Sequence, residues 1–252
     1  MAHATALARR DIVEASLGGS ALVAIAALGV RAALWLGSTY PFKAAAAFGA
    51  MALLASVVRD EHPFPRFGTA NLVTMVRAML VALIAAAIGE TIRRDLAAAI
   101  VMAIAVIAVL DGVDGWLARR TGMASPFGAR IDMETDALLI LVASVLVWQE
   151  SKAGAWVLAG GAMRYAFVAS GWILPWMRGT LTPTLRAKTI TICHVVGLCV
   201  ALAPIVPWPP SAIAAGVTTA ALTWSFAVDV RRLWKRRVSN PKSQIPNPKP
   251  QT

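Results

Sequence analysis

Asp111-Gly112-Val113-Asp114-Gly115-Trp116-Leu117-Ala118-Arg119, followed after a short connection by Gly128-Ala129-Arg130-Ile131-Asp132-Met133-Glu134-Thr135-Asp136, decides how the chain is read. Four aspartates and a glutamate crowd into this stretch, yet long apolar runs lie on both sides of it. A carboxylate at membrane depth is costly, so each one needs a task or a partner. Asp111 and Asp114 are three apart, and Asp132 and Asp136 are four apart, which puts each pair on one helix face. The connection at residues 120–127 is short, so the two helices are expected to be direct neighbours with their acidic pairs turned toward each other. Four like charges that close repel by several kcal/mol at low effective dielectric. Hard divalent cations, Mg²⁺ or Mn²⁺, relieve the repulsion, because such ions take oxygen ligands and Mg²⁺ shares its shell with substrate phosphates. One ion would do this, and two are expected.

Outward from this stretch the chain is apolar. Its 252 residues are 58% hydrophobic, with a mean hydropathy of +0.66, above the roughly 45–50% apolar content of soluble domains. The excess falls in Ala/Val/Leu/Ile runs, which predicts an all-α, polytopic integral membrane protein. Eight spans are expected, at about 16–37, 43–58, 70–89, 95–117, 131–149, 153–176, 188–207 and 210–230, the second being the shortest. The net charge of +11 would suggest nucleic acid in a soluble chain. Here the cations lie mostly in connections and at the C-terminus, which fits an anionic membrane surface, and no nucleic-acid motif is present. Cys193 and Cys199 fall in one apolar run and face different ways, so buried free thiols are expected. No signal peptide is expected, because the polar start through Asp11 and Glu14 leads into the first span.

Orientation follows from the basic residues. With the N-terminus inside and the spans alternating, only Lys43, Arg93, Arg94 and Lys152 fall in outward turns, and Arg31, Arg77 and Arg164 fall within spans. The other seventeen of the 24 Lys and Arg face inward. Both termini and the 111–136 turn are therefore expected on the cytoplasmic side. Residues 1–60 read as an N-terminal helical hairpin that packs on the rest, 61–237 as the membrane core, and 238–252, rich in Pro, Asn and Lys, as a disordered tail.

Asp111, Asp114, Gly115, Ala118, Arg119, Gly128, Asp132 and Asp136 match Asp-x2-Asp-Gly-x2-Ala-Arg-x8-Gly-x3-Asp-x3-Asp at every fixed position. The stretch resembles the signature of the CDP-alcohol phosphotransferase (phosphatidyltransferase) family of phospholipid synthesis. The resemblance covers about residues 66–235. It implies a six-helix core and an enzyme that transfers a substituted phosphate group from a CDP-linked donor, commonly CDP-diacylglycerol, to an alcohol with release of CMP. It further implies that Asp111, Asp114 and Asp132 are metal ligands, that Asp136 is a ligand or the general base, and that the protein is a homodimer.

The glycines suit close backbone approach to the nucleotide, or else helix–helix contact. Ala118 keeps the same strip low, and Arg119 can reach a diphosphate as a bidentate donor. Thr69 to Arg77 is similar to the family's Pro-Asn-x-Leu-Thr-x-x-Arg segment, although Ala70 stands for the proline and the leucine is displaced. Asn71, Thr74 and Arg77 share a face and are assigned to the donor nucleotide. Arg77 lies in a span and needs an anion, either the donor diphosphate or an aspartate.

For the acceptor, Arg164 sits where many members carry Arg followed by an acid, but Tyr165 departs from that pattern. Arg186-Ala187-Lys188-Thr189 is similar to the Lys-x-Lys-Thr segment of members that use glycerol phosphate. These three cations suggest a phosphorylated acceptor, with glycerol 3-phosphate ahead of inositol phosphate. The other reading is positive-inside topology alone. Glu134 points off the aspartate face and receives no role, and His194 is expected to be packed. A rival of another class is an ion-coupled transporter using the carboxylates as a path.

Overall fold

The computed structural model describes residues 2–57, 69–121, 125–178 and 184–239. Among the described residues eight α-helices run in order: α1 (Ala2–Leu34), α2 (Tyr40–Val57), α3 (Thr69–Ala86), α4 (Arg94–Thr121), α5 (Pro126–Gln149), α6 (Leu158–Ile173), α7 (Leu185–Leu202) and α8 (Pro210–Ser239). Two single 3₁₀ turns, Ala155–Val157 and Pro175–Arg178, flank α6. There is no strand among the described residues, so the fold is all-α as the apolar runs predict. Each helix overlaps one expected span. The shortest is α6, not α2, because the chain winds into a 3₁₀ turn before it.

Five segments are long and apolar enough to cross a bilayer: Ser16–Leu34, Tyr40–Val57, Arg94–Leu117, Leu185–Leu202 and Pro210–Lys235. They turn large apolar side chains outward, for example Ile25 (66% exposed) on α1, Val109 on α4 and Val217 on α8. In an integral membrane protein those faces meet lipid. The remaining helices, α3, α5 and α6, are shorter or more charged. They carry Arg77, the Asp132–Asp136 group and Arg164.

Helix starts and stops have local causes. α5 opens at Ser125, whose backbone is extended and whose Oγ accepts from the Gly128 N–H at 3.1 Å, with Pro126 at the first helical position. Thr184 caps α7 in the same way, accepting from the Ala187 N–H. After α3 the chain turns through Gly89, whose φ of +79° favours glycine.

At that turn the N-terminal hairpin is fastened to the core. Glu90 accepts from the Gly37 N–H at 2.8 Å and pairs with Lys43, which also donates to the Ile88 carbonyl. Tyr40 Oη donates to the Leu83 carbonyl at 2.8 Å. Gln149, at the end of α5, bonds both Gly89 N–H and the Glu90 carbonyl. Burial alone pulls the Glu90 carboxyl upward, but the bonds from Lys43 and Gly37 and the Lys43 charge outweigh it. The group is held below the usual carboxylate range.

Packing departs from chain order between α4 and α5. α3 packs against α2, α4 and α5, whereas α4 and α5 barely touch each other among the described residues. The expected direct contact of these two helices is thus replaced by an interposed α3. The physical reason is the charge they carry: two acidic faces cannot close on each other, but both can close on Arg77. On the far side of α5, glycine allows close approach. A Cβ at Gly161 of α6 would stand 2.4 Å from the Leu141 Cα, and one at Gly160 would stand 2.6 Å from His194 Nε2. His194 is fully buried, as expected. Both cysteines are free, but Cys193 is exposed on α7 rather than buried. The expected tail differs at its first residues, since α8 runs through Ser239; residues 240–252 lie outside the described ones.

Candidate active site

Arg77 is the centre of the site. It sits on α3, its side chain is fully buried, and its guanidinium reaches all four aspartates of the 111–136 stretch. Nη2 lies 3.0 Å from Asp111 Oδ1, Nη1 lies 2.6 Å from Asp114 Oδ2, and the same two nitrogens bond Asp132 and Asp136. Thr74, one turn earlier on α3, donates from Oγ1 to Asp114 Oδ2 at 3.1 Å. The i, i+3 and i, i+4 spacings do bring each acidic pair to one face, and the two faces meet over a third helix.

The carboxylates are not equivalent. Asp114 is nearly closed off, with 7% of its side chain accessible, and forms the floor with Arg77. Asp111, Asp132 and Asp136 are 28%, 37% and 39% accessible and line an open side. One guanidinium cannot neutralise four carboxylates. The accessible side is where a further cation can arrive. Oxygens of Asp111, Asp114 and Asp132 lie within 4.8 Å of one another. An all-oxygen carboxylate set at that separation fits a hard divalent ion, and among the described residues no thiol or imidazole joins it to favour a softer metal.

The expected donor-binding residues fall into two groups. Asn71, Thr74 and Arg77 lie along one face of α3, as their spacing predicts, and this face carries the bonds to Asp114. Gly128, in the first turn of α5, is where α5 approaches that face: a Cβ there would stand 3.0 Å from Asn71 Oδ1. Gly115 follows Asp114 on α4 and is half-buried. Ala118 and Arg119 continue that helix, and their side chains lie outside the described ones.

Two of the three expected acceptor residues are engaged by other acids. Arg164 of α6 clasps Glu134 of α5 through Nε (3.2 Å to Oε2) and Nη2. Arg186 of α7 is held to α8 by Asp229, Ser225 and the face of Trp224. Lys188 is exposed. Sequence reasoning left Glu134 without a role because it turns away from Asp132 and Asp136. Its partner lies thirty residues on in another helix, and no local spacing signals that pairing.

A family model described as CDP-alcohol phosphatidyltransferase matches residues 67–229. That interval takes in α3 to most of α8 and every residue of the cluster, and leaves α1 and α2 outside. No curated protein and no solved structure matches the chain.

Proposed function

The chain belongs to the CDP-alcohol phosphatidyltransferase family, and on that premise we propose that it is a divalent-metal-dependent transferase that moves a phosphatidyl group from CDP-diacylglycerol to glycerol 3-phosphate, releasing CMP. Membership itself carries the coarser statement: an integral membrane transferase of substituted phosphate groups in phospholipid synthesis. The observation that carries the finer reading is the open-sided carboxylate cluster of Asp111, Asp114 and Asp132.

Those three residues would hold the ion, which when bound would supply positive charge to the donor pyrophosphate. The rest falls to the chain's own groups. Arg77 and Thr74 fix Asp114 in one orientation and keep the floor of the site rigid. Asp136 stands on the accessible side and takes the proton from the attacking hydroxyl onto a carboxylate oxygen. The alcohol oxygen forms its bond to the phosphorus that stays with the lipid, the bond from that phosphorus to CMP breaks, and CMP leaves. Asn71, Gly115, Ala118, Arg119 and Gly128 are assigned to the donor nucleotide and Lys188 to the acceptor side, while Arg164 and Arg186 are taken up by Glu134 and Asp229. The basic-residue asymmetry supports a cytoplasmic active site with both termini inside. A homodimer follows from the family resemblance alone.

The test is CMP release by purified protein from labelled CDP-diacylglycerol, with glycerol 3-phosphate, inositol phosphate and neutral alcohols offered in turn. Turnover with glycerol 3-phosphate alone fits the full reading. Turnover only with inositol phosphate or another alcohol keeps the transferase and replaces the acceptor. Ion flux in vesicles without any nucleotide dependence would favour a transporter instead.

A further inference from the structure

Beside α3, a groove opens between the N-terminal hairpin and the first turns of α5. Its cavity volume is about 40 Å³, and it is open to the surface along its length. We propose that this groove receives the proximal part of one acyl chain of the lipid donor, so that the hairpin outside the family-matched region acts as a substrate-orienting device. The proposal rests on the donor being a diacyl lipid, as inferred above.

Three observations carry it. The first is chemistry along the groove. Its walls are apolar, from Phe48, Met51 and Ala52 on α2 to Ala78 on α3, while Asn71 and Thr74 supply polar side chains. The second is continuity: Thr74 lines the groove and also donates to Asp114, so groove and acid cluster share a wall one residue thick. The third is a break in packing. Among the described residues, buried Phe127 packs with Ala55 and Ile131 in a cluster apart from the main core that contains Phe48, Met51 and Ala78. The groove runs between these two clusters, lined from both. From Asn71 to Ala78 it follows about 10 Å of α3, at ~1.5 Å per residue.

An acyl chain is already in an apolar solvent when it lies in the bilayer, so the groove adds little transfer energy. What it adds is orientation. A chain held there fixes the glycerol end of the donor against the carboxylates, and positioning of this kind raises the rate rather than affinity alone. A headgroup or nucleotide would find no charged side chain in the lining.

The experiment compares kcat/KM for CDP-dipalmitoylglycerol and CDP-dihexanoylglycerol in the wild type and in Ala52→Trp and Ala55→Leu, which fill the groove to different extents. Leu28→Trp, on the exposed face of α1, serves as the control. The wild type and control should prefer the long-chain donor, and the filled variants should lose that preference by roughly tenfold, the scale on which an apolar pocket discriminates size. Circular dichroism and gel filtration establish folding, and Ala55→Leu carries the test if the tryptophan variant does not fold. An unchanged long-to-short ratio in a folded, active Ala55→Leu overturns the groove assignment alone. Failure of the wild type to release CMP from either donor overturns the diacyl-donor reading and the groove with it.

Discussion

Arg77 and Arg164 are both arginines on core helices, α3 and α6, and the structure treats them differently. Arg164 meets one carboxylate, Glu134, in a two-pronged clasp between α5 and α6. Arg77 meets four carboxylates from α4 and α5. A one-to-one pair is electrically complete and works as a fastener. A four-to-one cluster is not, and it persists in an apolar setting only if something else brings positive charge to it. The same residue type thus marks a structural joint in one place and a demand for a ligand in the other.

The sharpest way to break this contrast is to neutralise one member of each. Asp132→Asn should lower CMP release by about 100- to 1,000-fold, as when a positioned electrostatic stabiliser is removed from an active site, while the protein remains folded. Glu134→Gln should leave most of the activity. Equal losses in the two would erase the distinction between cluster and clasp. Next in size, Arg77→Met leaves the buried Asp114 without its guanidinium. Breaking a buried pair from one side costs about 3–5 kcal/mol, so this variant should show a clearly lowered melting temperature, with raised divalent cation giving it back in part. Arg77→Met with unchanged melting would mean that the guanidinium does not hold the cluster.

Much of this was legible beforehand, and the limits have a physical origin. Helical period is a local property, so the spacings Asp111/Asp114 and Asp132/Asp136 already told which acids share a face. The depth of Arg77 in a span already required an anion. What spacing cannot reveal is which helix comes between two others. The short 120–127 connection suggested that α4 and α5 touch, but repulsion between their acidic faces is relieved by α3. In the same way Arg164 and Arg186 read as free cations for a phosphorylated acceptor, whereas each finds a carboxylate on a different helix. Such pairings are decided by tertiary placement and leave no trace in the local pattern.

Two smaller effects sharpen the contrast further. The Glu134–Arg164 pair is partly accessible, so a double-mutant cycle of Glu134→Gln and Arg164→Gln should give a coupling of about 1 kcal/mol or less; a much larger value would make it more than a fastener. At the far end of α3, Glu90 has its folded carboxyl held below the ordinary range. A depressed carboxyl adds stability that is complete above its unfolded value and is lost as pH falls through the folded one. Glu90→Gln should therefore melt lower than the wild type near neutral pH, by about 1 kcal/mol, and the gap should close as the pH is taken below 4.5, its ordinary value. A gap that widens on acidification would contradict the Lys43 and Gly37 contacts as its cause.

The central claim is that the carboxylates of α4 and α5 serve a divalent cation that the transfer requires. Its most direct test is CMP release from CDP-diacylglycerol and glycerol 3-phosphate in wild type and Asp132→Asn, titrated with Mg²⁺ from excess chelator upward. The account predicts no release in chelator, saturable recovery in the wild type, and little recovery in the variant. Undiminished release in excess chelator would contradict it.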